Sequence, residues 1–129
     1  MGLTNTGIDE MASLAVGGAG TPFNSTNARI AIGSGATAFA KTQTTLVTEL
    51  ASGRKLATVT GPTGTSGAKT VQLVAAFNNG EAEGVWAEWG VFNAGAAGVM
   101  LCRATSTMGT KAAGQVWTVT ATLTFASGN

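Results

Sequence analysis

From residue 116 to residue 125 the chain reads VWTVTATLTF, and from Trp117 onward one residue class replaces the other at every step. Trp117, Val119, Ala121, Leu123 and Phe125 fall on one beat and Thr118, Thr120, Thr122 and Thr124 on the other. Period two is the repeat of a β-strand, whose successive side chains leave opposite faces, so the segment predicts a strand with one core face. The Thr row on the other face suits a solvated sheet surface, the ordinary case, or a flat contact with another subunit.

Weaker versions of the same signal recur upstream. Ala28, Ile30 and Ile32 alternate with Arg29 and Ala31 before Gly33-Ser34-Gly35 stops the run. RKLATVT at 54–60 and KTVQLVAAF at 69–77 read as strands around a turn-rich tip, GPTGTSGA. VWAEWGVF at 85–92 and GVMLCRA at 98–104 read as a hairpin across 93–97. A symmetric hairpin would set Val91 against Met100, Trp89 against Cys102 and Glu88 against Arg103. Residues 36–53 are rich in Thr and predict irregular structure packed by Leu46, Val47 and Leu50. Before the strands, Ile8, Met11, Leu14 and Ala15 sit at helical spacing, with Thr6 as cap, Asp9 and Glu10 in the first turn, and Gly17-Gly18 as the stop. The expected fold is mainly β, a β-sandwich or small barrel of about six strands with one short N-terminal helix. It forms a single domain over residues 1–129, with a helical segment at 1–17 and a β domain at 28–126.

Composition narrows the function. Charged residues are 10% of the chain, against roughly 25% in an ordinary soluble domain, and the net charge is +1. Such a surface favours association. There is no histidine, so the usual general base and metal ligand are missing, and neither a zinc site nor a Ser-His-Asp triad is expected. Seven cations give no basic stripe, so no nucleic-acid partner is expected. No run of 18 apolar residues and no basic leader occur, so neither a membrane partner nor secretion is expected.

The constellations that remain read as structural. The Gly-rich stretches lack GxGxxG and GK[ST] and serve as turns. Cys102 reads as a small buried apolar residue. Glu81 and Glu83 sit beside a loop and read as solvated charge rather than as a glycosidase pair. Glu88, Arg29 and Arg103 each interrupt an apolar strand. A charge in such a place needs a partner, so Glu88 is expected to bridge to Arg103 or to Arg29. No catalytic residue, cofactor or metal ligand is assigned. Trp86, Trp89 and Trp117 lie on apolar beats and read as core, with a saccharide-stacking platform as a distant alternative.

Four motifs in order carry a resemblance: LTNTG at the start, IGSG at 32–35, QTTLVTEL followed by Arg54, and EWGVFN at 88–93. The matching positions are Leu3, Thr4, Gly7, Ile32, Gly33, Gly35, Gln43, Thr44, Leu46, Glu49, Arg54, Glu88, Gly90, Val91, Phe92 and Asn93. Together they resemble small virion proteins of tailed bacteriophages, and the N-terminal attachment module of phage tail-collar fibres. Collar fibres continue into shafts, whereas this sequence stops at Asn129, so the module alone is expected. The resemblance implies a non-enzymatic subunit, made in the host bacterial cytoplasm and located in the virion. Its leading role would be a head decoration or cement protein, a symmetric oligomer such as a trimer seated on the major capsid protein. A tail or neck fibre adaptor is the alternative. Leu3, Thr4 and Ile8 in the N-terminal segment and Thr21, Phe23 and Asn27 in the following loop are the expected partner contacts.

Overall fold

The computed structural model describes residues 1–128. In chain order the elements are β1 (Gly2–Leu3), α1 (Asn5–Ala15), β2 (Arg29–Gly33), β3 (Glu49–Leu56), β4 (Thr58–Thr65), β5 (Ala68–Phe77), β6 (Gly84–Phe92), β7 (Met100–Lys111) and β8 (Trp117–Ala126). They make two antiparallel sheets, ordered β1-β7-β6-β2-β3 and β4-β5-β8, in a small β-sandwich. Alternation becomes register most cleanly in β8, which pairs with β5 without interruption from Ala68↔Ala126 to Phe77↔Trp117.

Between the sheets, Ile30, Ile32, Trp86, Val91 and Cys102 meet Leu73, Ala75, Phe77, Ala121 and Leu123. Each large side chain buried there contributes about 1.5–3 kcal/mol. The five-stranded sheet has a second buried face. Ala31, Phe92 and Met100 lie on it beneath Leu46, which belongs to the irregular segment 34–48. The outer face of the three-stranded sheet carries no such cover.

Several sequence expectations are corrected. The helix is capped by Thr4 rather than Thr6: Thr4 Oγ1 accepts the Gly7 amide at 2.9 Å and donates to the Met100 carbonyl. Thr4 wins because its own amide is already fixed, donating to the Leu101 carbonyl at 3.0 Å. Asp9 and Glu10 consequently lie beyond the first turn. Gly7 permits the close approach, since a Cβ there would lie 2.6 Å from the Leu101 carbonyl oxygen. The expected strand 54–60 is two strands, broken at Ala57, where the chain crosses from one sheet to the other. The expected turn-rich tip is mostly strand, paired as the ends of β4 and β5 down to Thr65↔Ala68. Pro62 is tolerated because β4 is an edge.

The hairpin register also differs. Val91 pairs with Cys102, Trp89 with Ala104 and Gly90 with Arg103, because an irregularity between Val91 and Phe92 breaks the symmetry. The Asn93 side chain accepts the Val99 amide at 2.8 Å and makes the loop longer than the strand ends require.

Candidate functional site

The densest polar arrangement is built on Glu88, which is fully buried. Its Oε1 accepts the amides of Thr48 at 2.7 Å and Gly35 at 3.2 Å. Its Oε2 accepts the amide of Val47 at 3.0 Å, with Nε and Nη2 of Arg103 both at 2.7 Å. Arg103 is equally buried, and its remaining donors reach Gln43 Oε1 at 3.1 Å and the Thr37 carbonyl at 2.9 Å. Glu88 stands opposite Thr105, so it reaches Arg103 diagonally, past the missing side chain of Gly90. Gly33 and Gly35 leave room for the carboxylate: a Cβ at Gly33 would overlap Glu88 Oε1, and one at Gly35 would lie 2.6 Å from it. Burial pushes the Glu88 carboxyl up, but the Thr48 and Val47 amides and the Arg103 guanidinium outweigh it and hold it below the usual range.

Other motif residues serve the same end. Arg54 pairs in two-pronged fashion with Glu49 at 2.8 and 3.0 Å, lies 3.7 Å over the Phe92 ring and donates to the Ala97 carbonyl at 2.8 Å. Asn93 donates to Glu10 Oε1 at 3.1 Å and to the Thr21 carbonyl at 2.9 Å, which fastens the helix and its following loop to the sheet. These residues hold irregular segments on one sheet and do not open into a cleft.

Arg29 stands apart from this network. Its guanidinium donates to the Thr26 and Ala28 carbonyls, each at 3.4 Å, and it does not meet Glu88. Glu81 pairs with Lys55 at 2.6 Å and accepts the Asn78 amide at 2.8 Å, both of which lower its pKa, while Glu83 accepts the Gly80 amide. Lys111, buried, donates to the Asn78 carbonyl at 2.8 Å. Burial pushes the Cys102 thiol up to about 11, which keeps it protonated and unreactive at neutral pH. Among the described residues, no three His, Cys, Asp or Glu side chains group as metal ligands would.

Of the expected partner contacts, Thr4 is withdrawn: it is fully buried and both its hydroxyl and its amide are committed within the chain. Leu3 and Ile8 are exposed at 42% and 49%, although Leu3 also pairs with Cys102. Thr21 is exposed, while Phe23 and Asn27 are half-buried.

Two surface features were not legible in advance. The outer face of the three-stranded sheet sets Thr60, Gln72 and Thr122 in one row, Thr58, Val74 and Thr120 in the next, and Thr63, Thr70 and Thr124 in a third, without one charged side chain. At the open side of the sandwich, between β7 and β8, Trp86, Trp89, Met108, Trp117 and Val119 line a groove of about 590 Å³ with no titratable side chain in its wall. Trp86 is buried and edge-on to both Phe77 and Trp117, with centroids at 5.3 and 4.9 Å. Each tryptophan sits on an apolar position of its strand, which is visible in the sequence; the convergence of Trp86 and Trp89, three residues apart, with Trp117 on one groove depends on strand pairing and on the register shift between Trp86 and Glu88. Comparison with known protein families, curated proteins and solved structures gives no match for this chain.

Proposed function

We propose that the chain is a non-enzymatic structural protein of a tailed-bacteriophage virion, acting as a head decoration or cement protein among copies of itself on the major capsid protein. The observation that carries the reading is where the charge goes. One buried pair holds a loop onto one sheet, while the other sheet presents an outer face of Thr, Gln, Val and Ala that is suited to close contact with neighbours. Five of the six acidic side chains support a role without bond-making: Glu10, Glu49, Glu81, Glu83 and Glu88 each accept hydrogen bonds within the fold, and none of the six, Asp9 included, lines the tryptophan groove. The four motifs that resemble those of phage collar modules include Thr4, Gly33, Gly35, Arg54, Glu88 and Asn93, which fix this scaffold.

Purified chain added to tailed-phage heads lacking it tests the reading. Binding at on the order of hundreds of copies per particle, in symmetric array, is the expected result. A few to tens of copies at the neck or tail would favour the fibre-adaptor reading, and no binding to any head or tail would remove both. Residues 1–7 are part of the folded sheet and helix cap, so the contact is probed by Ile8→Glu rather than by deletion.

A further inference from the structure

We propose that β8 is a self-pairing edge: two copies of this chain join β8 to β8, antiparallel about a two-fold axis at Ala121, and fuse their three-stranded sheets into one of six strands. The inference rests on the reading of the chain as a subunit that works among its own copies, and it names the surface by which two of them meet.

β8 ends its sheet, so alternate N–H and C=O groups along its outer side have no strand partner among the described residues. Native edges are usually blunted by charge, proline, bulges or shortness. The other edges here are: β1 has two residues, β3 carries Glu49, Arg54 and Lys55, and β4 contains Pro62 and a register shift between Thr60 and Thr63. β8 has none of these devices. No charge and no proline occur from Ala112 to Gly128, and its pairing with β5 is continuous.

The occupant follows from the strand's own pattern, which is palindromic in residue class about Ala121. Antiparallel pairing on that axis sets Thr120 against Thr122 of the second copy, Thr118 against Thr124, Val119 against Leu123 and Trp117 against Phe125. The Thr face and the apolar face each run unbroken across the joint, which a one-residue slip would destroy. An uncharged edge meets an uncharged copy without like-charge repulsion. The joint also covers side chains that are now open, Val116 at 60% and Phe125 at 49% exposure. At the Phe125 end, Met1 and Leu3 complete an apolar wall on the inner face, against which Trp117 of the second copy arrives.

Size sets the strength. Ten residues at about 3.4 Å each make an edge only some hundreds of Å² in area per copy, below the roughly 800 Å² of a standing interface. The pairing is therefore concentration-dependent in dilute solution and becomes firm where other contacts of an assembly hold the copies close.

Sedimentation velocity of the full chain from about 10 µM to about 1 mM tests this. The expected mass rises from one chain toward two. Thr120→Lys with Thr122→Lys, and Thr120→Glu with Thr122→Glu, place like charges across the axis on an exposed face; each double variant pairs at least tenfold more weakly, and an equal mixture of the two restores pairing. A wild-type chain that stays monomeric throughout overturns the proposal, and so does a dimer as tight in the Lys variant as in the wild type. Particle binding is measured separately with the same Lys variant: wild-type binding by a chain that never pairs through β8 removes the edge and leaves the virion role, whereas a β8 dimer with no particle affinity does the reverse. Should a double variant lose its β-sheet circular dichroism, amide exchange along β8 in the wild-type chain decides, through protection that does or does not rise with concentration.

Discussion

The two sheets of this sandwich use side chains in opposite ways. In the five-stranded sheet, Arg29, Glu49, Arg54, Lys55, Glu88, Arg103 and Lys111 all lie within strands, and several are buried against partners; in the three-stranded sheet Lys69 is the only charged residue. An ordinary soluble domain puts charge outside and apolar residues inside. Here the buried Glu88–Arg103 pair fastens loop 34–48 onto one sheet, and the half-buried Arg54 with Asn93 and Glu10 fastens the β6–β7 loop and the helix to it. The other sheet has its inner face in the core and its outer face and both edge strands uncharged, with Pro62 and a register shift blunting β4 alone. The contrast is a division of labour: one sheet holds its loops through buried charge, and the other keeps an uncharged outer face, the surface we propose for contact.

Removing one member of the buried pair should have the largest effect on the five-stranded sheet. Arg103→Ala leaves the Glu88 carboxylate buried with only amide donors and is expected to lower stability by about 3–5 kcal/mol in denaturant unfolding. A loss under about 1 kcal/mol, the range of exposed pairs, would show that the hub is not what orders the sheet.

Acid should act on the same sheet. The Glu88 and Glu81 carboxyls titrate below their ordinary value of 4.5 in the folded chain. The unfolded chain therefore binds protons first. Their contribution is complete above about pH 5 and is lost as pH falls through 4.5 toward the folded-state values. Unfolding midpoints measured down to about pH 3 should fall steeply in the wild type and less steeply in Glu88→Gln, whose starting stability is lower.

Gly33→Ala sharpens the point on a smaller scale. Its methyl group would overlap the Glu88 carboxylate and crowd the Thr48 carbonyl, so a loss of about 1–3 kcal/mol is expected, with circular dichroism unchanged. Smallest of all, Thr58→Lys on the outer face of β4 should change stability by no more than about 0.5 kcal/mol, since the side chain is exposed and makes no contact the fold depends on.

Much of this architecture can be read from residues alone, for reasons that differ by element. β5, β6 and β8 carry apolar alternation or near-continuous apolar runs, because both the pattern and the burial come from the same core. The C-terminal half of β7, TSTMGTK, has no alternation to read, since most of it is exposed. β4 was hidden by Gly61-Pro62, which reads as a turn but sits on an edge. The register departs from a symmetric hairpin because an irregularity between Val91 and Phe92 shifts the pairs after it and a second lies between Trp86 and Glu88, and nothing local marks either. Glu88 and Arg103 stand out as charges inside apolar strands, yet three of the donors to Glu88 are backbone amides of a loop, which have no sequence signature. Thr4 was misassigned for a related reason: a capping Thr and an exposed Thr look alike until the strand beside it is placed.

Hydrogen exchange read at two protein concentrations puts the division of labour to its most direct test. If the three-stranded sheet is finished by a second copy, amides on the outer side of β8 gain protection as concentration rises, while those of β4 and of the Glu88-bound loop stay unchanged. Equal exchange along β8 at both concentrations, or a gain confined to the five-stranded sheet, would contradict the account.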